Sequence, residues 1–263
     1  MEIKGKIIVV TGAANGIGAA LARRFALAGA EALLLCDLDS DGARDVAADL
    51  DLPEDRRAGV GCDVADREEV QRLVDMALAR FGRIDLFCSN AGILAPGDET
   101  APVAEWQRAW DVNVMAHVHA AQAVLPSMLE RGAGYLLNTV SAAGLLTSLG
   151  AAPYAVSKHA ALAFSEWLAV TYGGKGIGVS ALCPQAVRTK MIAEAAAAGA
   201  GAAVSSGGNL LEAEEVVDSV IAGLADERFL ILPHPETARY AEAKARDIDR
   251  WIAGMRRLLP PDV

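Results

Sequence analysis

The sequence has little positive charge and no stretch in which it is concentrated. Its 263 residues contain 24 Lys and Arg against 34 Asp and Glu, for a formal net charge of −10. Nucleic-acid phosphates and anionic lipid headgroups both favour clustered Lys and Arg. We therefore expect a small-molecule substrate and no nucleic acid partner.

Cysteine is scarce and its spacing is irregular. Cys36, Cys62, Cys88 and Cys183 form no CxxC pair, and no histidine stands at a zinc-ligand spacing from them. This pattern argues against a disulfide framework and against a zinc site. We expect reduced core thiols, no bound metal and a cytoplasmic protein.

The sequence also lacks a hydrophobic run that is free of polar residues. The uncharged stretches 112–129 and 132–157 are long enough for a membrane span, but histidine, asparagine, serine and proline occur in them. Polar residues make insertion costly. The first residues run from two lysines into a short apolar segment, so we expect no signal peptide and no membrane partner.

Short apolar runs alternate with helix-length segments along the whole chain. Continuous apolar character, rather than alternation, is what strands buried on both faces require, and helices supply the crossovers. The pattern predicts an α/β fold, a doubly wound seven-stranded parallel sheet in one domain over 1–263. The seven predicted strands are KIIVVTG, EALLLCDL, AGVGCDV, IDLFCSNAG, GYLLNTVS, GVSALCP and FLILP.

Helix signals fit between these strands. Ile17, Leu21 and Phe25 recur at a spacing of four and precede Gly29, as an amphipathic helix with a glycine at its end would. A second pattern predicts a helix over 66–81 that an aspartate caps and a glycine follows.

The segment 192–208, by contrast, has no large apolar stripe, because small residues and glycine fill it. We interpret it as a mobile excursion that serves as a substrate lid around 189–210. A surface loop without a role is the alternative.

The stretch TGAANGIG, residues 11–18, follows the first strand and opens the first helix. Glycines there let backbone amides and the positive helix terminus meet a pyrophosphate. Asp37 ends the second strand about twenty residues later, where a carboxylate can bind ribose hydroxyls and would repel a 2′-phosphate. Nothing basic occupies Asn15 or 38–40, so the sequence favours NAD over NADP.

The stretch SAAGLLTSLGAAPYAVSK, residues 141–158, ends an uncharged run at Lys158. A lysine that merely faces solvent is the simplest interpretation. However, Tyr154 lies four residues earlier, so on a helix its phenol shares a face with the ammonium. Hydride removal from an alcohol requires a base. A phenol has a pKa of about 10, and we expect Lys158 to lower it.

Together with the NAG turn at 90–92 and Asn113, these motifs make the chain resemble the short-chain dehydrogenase/reductase family, in its short single-domain branch. The resemblance covers essentially the full length. It implies a Rossmann fold, NAD as cofactor, a homotetramer, and an oxidoreductase with Tyr154 as general acid/base. The catalytic set it implies is Asn113, Ser141, Tyr154 and Lys158.

The resemblance also carries cofactor contacts onto this sequence. Thr189 would meet the nicotinamide carboxamide, and Asp63 and Val64 the adenine. The full cofactor set is Gly12, Asn15, Gly16, Ile17, Gly18, Asp37, Leu38, Asp63, Val64, Asn90, Ala91, Gly92, Tyr154, Lys158, Pro184, Val187 and Thr189.

One position departs from the family pattern. Gln185 follows Pro184 where relatives usually have glycine, which puts an amide at the substrate end of the pocket. The other substrate residues would be Ser141, Leu94, Ala143 and Leu149. This apolar wall suggests a neutral, hydrophobic secondary alcohol or its ketone.

Two other functions remain open. One is a catalytically silent NAD-binding regulatory or scaffold protein, against which the intact catalytic set argues. The other is a sugar-nucleotide epimerase or dehydratase of the longer family branch, which the glycine spacing of residues 11–18 disfavours.

Overall fold

All seven apolar runs form strands, and these strands make one parallel sheet. The computed structural model describes residues 1–197 and 209–259. The strand order is β3-β2-β1-β4-β5-β6-β7. Their bounds are β1 Ile7–Thr11, β2 Ala32–Asp37, β3 Arg57–Gly61, β4 Leu86–Ser89, β5 Gly134–Thr139, β6 Ile177–Leu182 and β7 Leu230–Ile231.

Helices connect the strands and cover both faces of the sheet, which confirms the expected doubly wound α/β fold. A turn of π-helix over Asp111–Met115 joins α4 to α5. The helices are α1 Gly16–Leu27, α2 Ser40–Ala48, α3 Arg67–Phe81, α4 Val103–Trp110, α5 Ala116–Arg131, α6 Ala152–Tyr172, α7 Lys190–Ala197, α8 Ala213–Ala225, α9 Glu236–Arg246 and α10 Ile248–Arg256.

Two apolar clusters sandwich the sheet. Successive residues of β1 alternate between them: Ile8 and Val10 pack with residues of α1 and α8, while Ile7 and Val9 pack with residues of α3 and α5. Burying each such side chain contributes about 1.5–3 kcal/mol. The continuous apolar character of the strands follows from this double burial.

The local signals for α3 are confirmed. The Asp66 side chain accepts hydrogen bonds from the backbone N–H of Glu68 and Glu69, and Gly82 ends the helix with a left-handed φ of 85°. A side-chain cap of this kind contributes about 1 kcal/mol.

The strand order reverses direction at β1, which pairs with β2 on one side and β4 on the other. In open parallel sheets, a crevice forms at such a point beyond the carboxyl ends of the strands. The candidate site lies in this crevice.

Helix α7 begins the segment expected to form a lid around 189–210. Residues 198–208 of that segment lie outside the described residues. That the whole chain folds as one domain stays a prediction. Among the residues that the structure describes, no helix is long and apolar enough to cross a bilayer.

Candidate active site

Two adjoining cavities occupy the crevice. The first, of about 670 Å³, extends over the carboxyl ends of the central strands. The second, of about 330 Å³, lies beside the loop that follows β5. Both are lined by Ser141, Tyr154, Gln185, Met191 and Ile192.

The glycine-rich turn forms the floor of the first cavity, and a side chain would not fit at its critical positions. A Cβ at Gly12, where φ is +64°, would lie 2.8 Å from the Cα of Ala91. A Cβ at Gly18 would lie 2.0 Å from the carbonyl oxygen of Gly12. The missing side chains let helix α1 approach the turn closely, and the cradle suits the pyrophosphate of a dinucleotide.

Asp37 lies at the end of β2 and lines the same cavity. One carboxylate oxygen accepts a hydrogen bond of 3.0 Å from the backbone N–H of Ala14. The other accepts a hydrogen bond of 3.0 Å from that of Asp39. The two backbone groups fix the orientation of the carboxylate at the edge of the cavity.

Asn90 fastens the turn after β4 to the end of β1. Its Nδ2 donates to the carbonyl oxygens of Thr11, at 3.0 Å, and of Gly12, at 3.2 Å. Its Oδ1 accepts a 3.0 Å hydrogen bond from the hydroxyl of Thr139. The side chain therefore supports the cavity floor from below.

The structure brings nearly all sequence-predicted cofactor residues together around the first cavity. Gly18 is not among the described residues that line it, because it lies against Gly12 at the start of α1. Those that do line it are Gly12, Asn15, Gly16, Ile17, Asp37, Leu38, Asp63, Val64, Asn90, Ala91, Gly92, Tyr154, Lys158, Pro184, Val187 and Thr189.

Helix α4 contributes a wall that sequence reasoning missed. Its residues Ala104, Gln107 and Arg108 line the first cavity, as does Asp111 just beyond it. No local motif marks them, since only the tertiary packing of α4 brings them there.

Tyr154 and Lys158 lie on one face of α6, as their spacing predicts. The Nζ atom of Lys158 is 5.8 Å from the centroid of the Tyr154 ring and donates a 3.1 Å hydrogen bond to the carbonyl oxygen of Thr139. Lys158 is only 3% exposed. It is therefore a buried cation and not the solvent-facing end of an apolar run.

Burial sets the ionisation of both groups. It lowers the pKa of Lys158 from 10.5 to about 8. It also raises the pKa of Tyr154, against the opposing effect of the Ser141 hydroxyl. The net pKa of Tyr154 is therefore raised, because the loss of hydration is the largest effect; that the Lys158 charge favours the phenolate stays a prediction.

Ser141 lies where both cavities meet. Its Oγ accepts a 3.1 Å hydrogen bond from the backbone N–H of Ala143 and thereby caps a short 3₁₀ turn, Ala142–Gly144. The hydroxyl also lies 3.5 Å from the carbonyl oxygen of Pro184, to which it can donate a long hydrogen bond. Such a long hydrogen bond leaves the hydroxyl able to reorient toward a substrate oxygen.

Asn113 is fully buried in the π-helical turn and is not among the described residues that line either cavity. Its Oδ1 accepts from the backbone N–H of Ile93 at 2.9 Å, and its Nδ2 donates to the carbonyl oxygen of Ile93 at 3.0 Å. Nδ2 also donates to the hydroxyl of Ser157 at 3.1 Å. Asn113 thus ties the cavity floor to α6 from behind.

His117 is a second buried polar group near Lys158. It is 1% exposed, and within the described part of the chain neither ring nitrogen has a hydrogen-bond partner. Burial, and next the charge of Lys158, lower the pKa of His117 to about 3, while the nearby Asn138 side chain acts against them. The imidazole is therefore neutral at physiological pH.

The second cavity holds most of the expected substrate residues. Leu94, Ala143, Ser141 and Gln185 line it, whereas Leu149 is not among the described residues around either cavity. Leu146, Thr147 and Ser148 of the loop after β5 also line the second cavity, as does Met191 of the segment expected to form a lid. Sequence reasoning missed a C-terminal set, whose only signal is an apolar spacing: Tyr240, Trp251, Met255 and Leu258.

Gln185 does line both cavities, but part of its amide is already engaged. Nε2 donates a 2.9 Å hydrogen bond to the hydroxyl of Thr237. The backbone N–H of Gln185 donates to Nδ1 of His234 at 3.1 Å. The departure from glycine therefore connects the β6 end to α9.

Within residues 1–197 and 209–259, no group of three or more His, Cys, Asp or Glu side chains is arranged to hold a metal ion.

Comparison with known proteins agrees with this geometry. The family model described as short chain dehydrogenase matches residues 6–199. The chain is 36% identical over 266 residues to a 1-deoxy-11-beta-hydroxypentalenate dehydrogenase of Streptomyces exfoliatus, covering 99% of this chain and 93% of that protein. It is 37% identical over 192 residues to a D-threitol dehydrogenase of Mycolicibacterium smegmatis, covering 72% and 73%.

A solved structure is similar over nearly the whole chain. It is a short chain dehydrogenase/reductase from Burkholderia phymatum in complex with NAD, with a TM-score of 0.84, 31% identity and coverage of 95% of this chain and 96% of that one. The chain therefore belongs to the short-chain dehydrogenase/reductase family and is an oxidoreductase that transfers a hydride between a nicotinamide cofactor and a secondary alcohol or its ketone.

Proposed function

We propose that this protein is an NAD-dependent dehydrogenase of neutral, hydrophobic secondary alcohols, with Tyr154 as the general acid/base. The observation that carries the proposal is that Tyr154 and Ser141 line both cavities at the same time. A carbinol held there would face the cofactor cavity on one side and the apolar cavity on the other.

In this proposal, side chains of α6 and of the turn that precedes it bind the substrate oxygen and transfer its proton. The nicotinamide ring, when bound, accepts a hydride from the carbinol carbon or returns it to the ketone. Ser141 donates a hydrogen bond to the substrate oxygen and orients it. Tyr154 receives the hydroxyl proton in oxidation and supplies it in reduction.

Lys158 and Asn113 have supporting roles. The Lys158 ammonium lies near the Tyr154 ring and opposes the build-up of negative charge on the phenol oxygen as it loses its proton. Because the pKa of Tyr154 is raised, the phenol is protonated at neutral pH and is ready to act as an acid toward a ketone. Asn113 is a positioning residue that holds Ile93 and Ser157 around this pair.

We infer NAD, rather than NADP, from Asp37. Its carboxylate is fixed by Ala14 and Asp39 at the cavity mouth, where it can accept from two ribose hydroxyls and would repel a 2′-phosphate. The similar Burkholderia phymatum protein was solved with NAD, which supports the same choice.

The substrate class follows from the second cavity. Among the described residues that line it, none is charged, so a carboxylate or phosphate would lose its hydration without compensation. A neutral alcohol with an apolar body would not incur this desolvation cost.

We also propose a homotetramer in the cytoplasm. Large apolar side chains on α4 and α6 are exposed, among them Val103, Trp167 at 54% and Val170 at 86%, as is typical of surfaces that pack against another subunit. The four cysteines are free and buried, which suits a reducing compartment.

A panel of secondary alcohols and ketones, followed by NADH absorbance, tests the proposal. We expect turnover with hydrophobic members and a kcat/KM at least tenfold higher with NAD than with NADP. Efficiency that is equal or better with NADP would contradict the role of Asp37. Binding of NAD without turnover of any alcohol would instead favour a silent NAD-binding protein.

A further inference from the structure

The helix pair α9–α10 forms one wall of the substrate cavity. Trp251, Met255 and Leu258 recur at a spacing of four and three along α10 and the residues after it, so they share one face. All three line the second cavity, and Tyr240 of α9 joins them. The apolar stripe of α10 thus faces the space beside Tyr154.

This wall is not part of the hydrophobic core. None of the residues of α10 is buried, and Leu258 is 62% exposed. The apolar face of an isolated amphipathic helix normally packs onto the interior of its protein. Here that face is left in contact with the cavity, where an apolar ligand can cover it.

Lys244 fastens the wall to the catalytic turn. Its Nζ donates hydrogen bonds of 2.8 and 2.6 Å to the carbonyl oxygens of Leu145 and Leu146, which directly follow the 3₁₀ turn capped by Ser141. The same atom lies 3.3 Å from Nε2 of His159 and 5.1 Å from the ring centroid of Trp251. One ammonium therefore connects α9, α10, α6 and the Ser141 turn.

A second attachment holds the other end of α9. Thr237, in its first turn, is completely buried and accepts the 2.9 Å hydrogen bond from Nε2 of Gln185. His234 accepts from the backbone N–H of Gln185, and its Nε2 lies 2.9 Å from the carbonyl oxygen of Asn209. Since α9 is tied at both ends, the position of the wall relative to Ser141 is fixed.

We propose that the α9–α10 pair is the specificity-determining wall of the substrate cavity and selects secondary alcohols on a bulky apolar ring system over small acyclic ones, with Lys244 as its positioning residue. The inference rests on the proposed function. Ser141 and Tyr154 line both cavities, whereas Trp251 lines only the second, so the indole lies on the side of the reacting groups away from the cofactor cavity. A fused-ring alcohol would extend further from Ser141 and Tyr154 into the cavity of about 330 Å³, toward the indole, than a small acyclic one.

The test compares decahydro-2-naphthol with 2-butanol. Wild-type protein should oxidise the ring alcohol with the higher kcat/KM. Trp251→Ala should lower kcat/KM at least tenfold for decahydro-2-naphthol, mainly through KM, and by less than threefold for 2-butanol. Ile252→Ala is the matched control, because Ile252 neighbours Trp251, is 37% exposed and is not among the described residues lining the cavity. Ile252→Ala should change the kcat/KM for decahydro-2-naphthol and for 2-butanol by less than twofold.

Lys244 is tested by two variants. Lys244→Met keeps the apolar stem but loses the hydrogen bonds, and should raise the KM for decahydro-2-naphthol at least fivefold with a smaller effect on kcat. Lys244→Arg retains a donor and should restore the KM to within about threefold of wild type. A general loss of folding would lower NAD affinity in Lys244→Met as well, which NAD titration measures.

The outcomes separate the two proposals. If wild-type protein oxidises both alcohols and Trp251→Ala affects them equally, or affects neither, the wall proposal is overturned while the proposed function stands. If Lys244→Met leaves both KM values unchanged, Lys244 is not the positioning residue. If wild-type protein oxidises no secondary alcohol with NAD, the proposed function fails, and the wall proposal fails with it.

Discussion

At the scale of single residues, the site is a cluster of ionisable side chains that the fold has removed from water. Lys158 and His117 are each at most 3% exposed, and burial shifts both pKa values toward the neutral form. An ammonium with few hydrogen bonds is costly in a protein interior. In the proposed mechanism this cost is offset because the ammonium lies close to Tyr154, with its Nζ 5.8 Å from the ring centroid.

The buried ammonium predicts a specific pH dependence of stability. The pKa of Lys158 is about 8 in the folded chain against an ordinary 10.5, so the unfolded chain binds more protons between these values. Stability must then rise with pH in that window. Relative to Lys158→Met, wild type should gain about 2 kcal/mol in free energy of unfolding between pH 7 and 10.

Urea denaturation of both proteins at several pH values measures this difference. Lys158→Met keeps the apolar part of the side chain and is the reference for wild type. Because the two proteins share every other titrating side chain, the difference between their pH profiles reports on Lys158. Parallel pH profiles would mean that Lys158 is not buried as the structure has it.

At the scale of secondary-structure elements, the cofactor cradle depends on how closely α1 approaches the turn before it. Gly18 is in the first turn of α1, and a Cβ there would overlap the carbonyl of Gly12 and lie 2.7 Å from Nδ2 of Asn90. Both neighbours are constrained, the first as backbone and the second by its hydrogen bonds to β1. Neither can move without opening the floor of the cavity.

Gly18→Ala should therefore destabilise the fold by about 1–3 kcal/mol and weaken NAD binding at least tenfold. Gly173→Ala is the matched control, because nothing lies within 4 Å of a Cβ there, and its effect should stay within about 0.5 kcal/mol. Thermal denaturation and calorimetric titration with NAD measure the two quantities. Equal behaviour of the two variants would show that close packing of α1 is not what forms the cradle.

At the scale of the whole molecule, the sequence predicts well those features that residues close together in the chain determine. The seven strands, the Asp66 cap and the shared face of Tyr154 and Lys158 follow from local patterns, and the structure has all of them. The sequence predicts poorly the contacts between residues that are far apart in the chain. Lys244 donates a hydrogen bond to the carbonyl oxygen of Leu145, which is 99 positions earlier in the chain. No local sequence pattern indicates such a contact.

Two side-chain environments show the same limit. Gln185 lines both cavities, as expected, but its amide nitrogen also donates a hydrogen bond to Thr237, 52 positions away. Burial by the assembled fold raises the pKa of Tyr154. Neither the partner of the amide nor the loss of hydration follows from the local sequence, because tertiary packing creates both.

We propose that Tyr154 transfers the proton while the hydride moves. The most direct test of this proposal is the turnover number of Tyr154→Phe for oxidation of a secondary alcohol that wild type accepts, with NAD saturating. Loss of a general acid/base lowers rates by about 10²–10⁴, so we predict at least a 100-fold lower kcat, with NAD affinity within threefold of wild type. A kcat within tenfold of wild type would show that Tyr154 is not the general acid/base.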